Sequence, residues 1–311
     1  MRLQHLALVL AVVLIWGFNF VVIQVGLTEM SPLTLCVARF FLASIPMVFF
    51  IKRPQVPFKY ILLYGLVMFA LQFTLVFSGM ALGVTAGLAS LVLQVHVFFT
   101  ILLAIPFLGE RPNRWQTMGA LTAFSGIGVV ALHLGSQAPL SGFLCIIAAA
   151  MAWGCSSLIA KKLHGLNVLI LVIWSSMVAW PPLLLITLLF EGPSQMIASL
   201  QQVSWLGIGA ILYIVYPTTL FGFSIWNKLI REYPVATITP FTLLVPVVGM
   251  LSATLVLGEP FESWKLLAGV LVITGLCINL LGPRWQKNKA NEHVLFIQND
   301  LTTKKDLLDT H

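Results

Sequence analysis

The chain has 311 residues, of which 59% are hydrophobic and 9% charged, with a mean hydropathy of +0.99, whereas a soluble domain carries about 25% charged residues. That balance excludes a water-soluble globule, and at about 20 apolar residues per spanning helix the length accommodates ten spans. The formal charge of +7 does not point to nucleic acid, because the basic residues fall between apolar runs, where membrane topology accounts for them.

Uninterrupted apolar runs lie at about 6–26, 34–51, 60–79, 86–107, 115–133, 141–160, 168–190, 204–226, 235–257 and 266–281. The first follows Arg2 but lacks a small-x-small ending, so it reads as a span and not a cleaved leader. Lys and Arg test the count independently of hydropathy. Arg2, Lys52, Arg53, Lys59, Arg111, Arg114, Lys161, Lys162, Lys228, Arg231, Arg284, Lys287, Lys289, Lys304 and Lys305 all fall on one side of the expected topology. The alternate loops hold only Lys265, and Arg39 lies inside the second run. Both termini are therefore expected in the cytoplasm. Cys36, Cys145, Cys155 and Cys277 sit inside apolar runs without a CxxC pair and read as packing residues. From Pro283 to His311 the composition turns polar, as in a solvated tail.

The chain repeats itself. Leu108, Gly109, Glu110 and Trp115 recur as Leu257, Gly258, Glu259 and Trp264, a shift of 149, and Ala11, Trp16 and Gly17 recur as Ala148, Trp153 and Gly154, a shift of 137. Each copy holds five spans, an odd number, so the copies are expected to be inverted, with Glu110 on the cytoplasmic face and Glu259 on the outer one. The expected fold is an all-α integral membrane protein of ten transmembrane helices. It divides into a five-helix repeat over 3–135, a second over 140–282 and a cytoplasmic tail over 283–311. Gly109 and Gly258 are expected to end their helices in the left-handed conformation, with each glutamate near the N-terminus of the following helix.

The stretch WGFNFVV at 16–22, the Ala38–Phe40 triplet and the repeated LGE motif resemble the EamA family of the drug/metabolite transporter superfamily. GLASLVLQ at 87–94, FFTI at 98–101 and LLVPVVG at 243–249 look more narrowly like bacterial O-acetylserine/cysteine exporters. The resemblance implies a two-fold pseudo-symmetric fold around a cavity lined by helices 1, 3, 4, 6, 8 and 9.

Asp and Glu are absent from the depth of every expected span, which disfavours proton-coupled drug efflux of the kind that depends on an intramembrane acid. Arg39 either snorkels or bonds between helices, or else attracts an anionic group such as a substrate carboxylate. On the fourth helix, Ser90 and Gln94 are expected to face the cavity, with His96 on the opposite side as a packed residue; a proton-linked switch is its sharper alternative. Asn19 and its counterpart Ser156 serve as interhelix bonds or substrate contacts. Gln72, Tyr213, Tyr216, Thr239 and Thr242 are further substrate-binding candidates on helices that the resemblance places at the cavity, and Pro240 and Pro246 are candidate gating positions.

The expected function is export of a small polar metabolite, an amino acid or derivative such as cysteine or O-acetylserine, by alternating access. Import or exchange of another metabolite, nucleotide-type or S-adenosylmethionine-like, stands as the alternative. A non-transporting receptor or an intramembrane enzyme is more remote, since the chain has no HExxH, no GxSxG and no ATP-binding loop. No cofactor and no metal are expected. The expected partners are the metabolite and the lipid bilayer, without nucleic acid, for a monomer in the bacterial inner membrane.

Overall fold

The computed structural model describes residues 2–109, 112–133, 139–160, 163, 166–233 and 238–282, with backbone only for Asn227, Ile230, Arg231, Thr239 and Pro240. Glu110 and the tail lie outside the described residues. Every regular element among those described is helical. In chain order the long helices are α1 (Leu3–Leu27), α2 (Pro32–Phe50), α3 (Phe58–Ala81), α4 (Ala86–Leu108), α5 (Arg114–Leu132), α6 (Leu140–Ala160), α7 (Val168–Phe190), α8 (Trp205–Trp226), α9 (Phe241–Leu257) and α10 (Ser263–Gly282). Nine are long and apolar enough to cross a membrane, and α9 is the shorter exception. A further helix, Pro193–Gln202, occupies the segment that hydropathy left as a loop. It carries no buried residue, and its apolar positions are too few and too spaced to register as a span.

Local chemistry sets the helix ends. Ser31 accepts the Thr34 N–H ahead of Pro32 to start α2, Asn113 and Gln116 form a reciprocal capping box on α5, and Ser204 accepts the Leu206 and Gly207 N–H groups to start α8. Gly109 and Gly258 end α4 and α9 with φ of 67° and 66°, the left-handed conformation expected of them.

Besides the break at Ile45–Pro46 in α2, four helices depart from α geometry at corresponding positions of the two halves. Gly65–Leu71 in α3 and Ile214–Phe221 in α8 are π-helical, starting 149 residues apart. Leu93–Val95 in α4 and Thr239–Leu243 entering α9 are 3₁₀ turns. Such segments re-aim side chains and recur at functional sites. In α8 the widened turn also accommodates Pro217, which has no N–H to donate.

In the packed bundle α1 lies against α8 and α9, α6 against α3 and α4, and α2 against α7. Small residues bring α5 and α10 together, with Gly119 facing Gly275 and Gly126 facing Ala268. Large apolar side chains such as Leu14, Leu121, Leu185 and Leu255 project outward, as a bilayer requires and water would not tolerate.

Candidate functional site

A cavity of about 380 Å³ lies inside the bundle, within the size range of small-molecule pockets. Its wall is mainly aromatic and aliphatic and comes from α1, α2, α3, α4, α6, α8, α9 and α10, two helices more than the resemblance implied. Trp16 and Trp153, the matched tryptophans of the two repeats, both line it. Trp16 leans on Phe223 and Trp226, with ring centroids 5.5 and 5.3 Å away, and donates Nε1–H to the Thr218 carbonyl at 3.1 Å. Trp153 stacks flat on His96, centroids 4.0 Å apart.

The two-fold resemblance of the walls ends at Arg39. Its side chain does not snorkel: the residue is 2% exposed, lines the cavity and bonds between helices. Nη2 donates to Thr219 Oγ1 at 3.1 Å, and that hydroxyl in turn donates to the Ile214 carbonyl at 2.8 Å, five residues back along the π segment. The guanidinium carbon stands 3.9 Å from the Phe73 ring centroid. Nε and Nη1 have no hydrogen-bond partner among the described residues. No Asp or Glu is among the residues lining the cavity, so one fixed positive charge faces it without a counter-charge. Leaving a buried charged donor unpaired costs at least about 1–3 kcal/mol, a cost that an anionic ligand would remove.

Other unsatisfied polar atoms converge on the same space. Among the described residues, Gln72 is fully buried with both amide ends unpaired, and Asn19 Oδ1, His96 Nδ1 and Thr218 Oγ1 also lack partners. Gln94 donates Nε2 to the Thr242 carbonyl at 3.4 Å, joining the 3₁₀ turns of α4 and α9 at the cavity wall.

Six of the candidate residues therefore meet here: Asn19, Arg39, Gln72, Gln94, His96 and Thr242. His96 requires a correction. On an ideal α-helix it would lie opposite Gln94, but the intervening 3₁₀ turn advances the chain about 120° per residue in place of 100°, and both side chains reach the cavity. Ser90, expected beside Gln94, instead donates to the Gly87 carbonyl at 2.7 Å and packs on Gly249. Ser156 is buried, bonded to the Trp153 carbonyl at 2.7 Å and to Met68 Sδ at 3.2 Å. Tyr213 donates to the Ile15 carbonyl at 3.1 Å, and Tyr216 is 43% exposed on the outside of α8. Pro246 is buried in α9 outside the cavity lining; the side chains of Thr239 and Pro240 lie outside the described set. Residues that were not nominated include Phe73, Thr218, Thr219 and the two tryptophans, although the Trp16–Trp153 repeat match was the available signal.

A multi-pass helical membrane protein with a buried, singly charged cavity at its centre is built to hold a small molecule within the membrane, as a transporter does. The family profile described as "EamA-like transporter family" matches residues 4–132 and 140–281, and the chain belongs to that family: it is a transporter and not an enzyme. It is similar to the "Probable amino-acid metabolite efflux pump" of Escherichia coli (strain K12), 40% identical with 90% of this chain and 96% of that protein covered. The Salmonella typhimurium protein of the same description is 41% identical, covering 89% and 95%. A "Probable terminal-alkyne amino-acid exporter" of Streptantibioticus cattleyicolor is 29% identical, covering 88% and 91%. A solved crystal structure shares the fold with a TM-score of 0.63 at 16% identity, covering 92% of this chain and 99% of that one.

Proposed function

We propose that the protein exports a small amino-acid-type metabolite, such as cysteine or O-acetylserine, from the bacterial cytoplasm by alternating access. The observation that carries this reading is Arg39, buried in the cavity wall with two unpaired donor nitrogens and no acidic neighbour in the lining. A carboxylate would take one of them together with the second Nη2 N–H, the one not bonded to Thr219, in the fork geometry that guanidinium favours. Asn19 and Gln72 offer neutral amide oxygens, and Trp16 and Trp153 offer aromatic faces, to the ammonium group of the same zwitterion. The efflux-pump descriptions of the relatives favour the outward direction.

The accompanying topology is ten spans in two inverted five-helix repeats, with both termini cytoplasmic and the monomer as the functional unit. Overexpression in bacteria followed by mass spectrometry of the medium tests the transport reading. One or two amino-acid metabolites should accumulate relative to empty vector, and Arg39→Ala should not produce them. An unchanged medium would instead favour import or exchange of another metabolite.

Labelling from each side tests the orientation. Lys265 is a poor reporter, since it is 6% exposed with Nζ on the Pro260 carbonyl at 3.1 Å. Ser263 and Lys59 are exposed alternatives. A membrane-impermeant maleimide should reach Ser263→Cys in intact spheroplasts and Lys59→Cys only after permeabilisation; the reverse order would overturn the topology.

A further inference from the structure

The repeated LGE motif has a role beyond ending helices. Glu259 follows the helix-ending Gly258, yet it does not serve the N-terminus of the next helix, α10, as the sequence suggested. Its carboxylate crosses to the other repeat: Oε1 accepts the Ala86 N–H at 2.8 Å and Oε2 accepts the Gly87 N–H at 3.2 Å, the first free donors of α4. Beneath that contact α4 and α9 pack closely. A Cβ added to Gly87 would stand 3.3 Å from Met250 Cα, and one added to Gly249 would stand 2.5 Å from Ser90 Oγ. The second half of α4, from His96 onward, lies instead against α6.

The cavity wall runs away from this contact. Phe223, Trp226, Leu276 and Leu280 line it at the ends of α8 and α10 remote from Glu259. Other carboxylate contacts at the Glu259 end connect different helices: Glu29 accepts from Ser204 at the start of α8, and Glu191 accepts from Thr34 across the α2–α7 contact. Glu259 alone among these three acts between α4 and α9, the helices whose 3₁₀ turns meet at the cavity.

We infer that Glu259 is a latch: its carboxylate on the α4 N-terminus holds the cavity shut at that end, and the bond must break for the cavity to open there. The α9–α10 loop is braced for this task. Lys265 ties the loop to Pro260, and Trp264 stacks on His133 at the end of α5, centroids 4.7 Å apart. A charged acceptor on two helix-terminal N–H groups is strong enough to bias a two-state opening, yet weak enough to release.

The test needs no substrate, so its outcome is separate from that of the export reading. In a background with the four cysteines replaced, Ile23→Cys places a thiol in the cavity wall, and vesicles of each orientation are treated with an impermeant maleimide. Glu259→Ala should raise the labelling rate from the Glu259 side by about tenfold, the factor that corresponds to losing about one such bond, and lower it from the opposite side. Glu259→Gln, which keeps one acceptor, should give a smaller change in the same direction with an unaltered melting temperature. Glu191→Gln, which alters a carboxylate contact at the same end but across α2 and α7, should match the parent. Unchanged sidedness in both Glu259 variants, or an equal rise in Glu191→Gln, would overturn the latch.

Discussion

Replacing Arg39 with Lys should abolish measurable export, with initial transport rates into or out of proteoliposomes falling by about 100-fold and Arg39→Ala doing no better. Losing a charge-assisted pair to a buried partner costs about 1.5–3 kcal/mol, and each 1.4 kcal/mol is about tenfold in affinity. Lysine keeps the charge but cannot do what the guanidinium does here. It has no planar fork with which to bond Thr219 through one N–H while offering two more to a carboxylate, and it would lose the close approach of the guanidinium carbon to the Phe73 ring. Thr219→Val should give a milder loss, seen in KM more than in maximal rate, because the guanidinium remains but is no longer held in place. An Arg39→Lys protein with the parent KM would sink the carboxylate assignment.

The contrast between Arg39 and His96 shows what the residues alone disclose. Spans follow from composition, an average over many residues, which a sequence carries in plain form. The positions of Gly109 and Gly258 were equally legible, because a left-handed residue after an apolar run is a local requirement. The facing of α4 was not. Its assignment assumed 100° per residue, a spacing that the 3₁₀ turn at Leu93–Val95 breaks between Gln94 and His96, both of which line the cavity. Pro217 in α8 is a local signal for one of the π segments, whereas the 3₁₀ turn of α4 and the π segment of α3 contain no proline. The partner of Glu259 was hidden as well. Propensity places a carboxylate near the nearest helix start, while the fold offers it the start of a helix more than 170 residues away.

The α5–α10 contact depends on glycine backbones in close approach. A Cβ at Gly275 would lie 2.5 Å from the Gly119 carbonyl oxygen and 2.7 Å from the Ala123 nitrogen; one at Gly119 would lie 2.5 Å from the Gly275 carbonyl oxygen. These neighbours are backbone, which cannot rotate aside as a side-chain tip can, so the helices themselves must part. In a bilayer that separation is costly because lipid competes for apolar surface as well as another helix does, leaving close packing as the main attraction between helices. Gly275→Val should therefore destabilise by at least about 3 kcal/mol, the upper range for overpacked cores, and lower the melting temperature in detergent by about 5 °C or more. Gly128→Val and Gly209→Val, where nothing lies within 4 Å of the added carbon, should melt with the parent. The consequence reaches the cavity as well. Leu276 and Leu280 line its wall on the helix that Gly275 seats, so the milder Gly275→Ala should weaken substrate binding even where the protein still folds. Intact binding alongside a lowered melting temperature would mean that α10 closes the bundle without shaping the site.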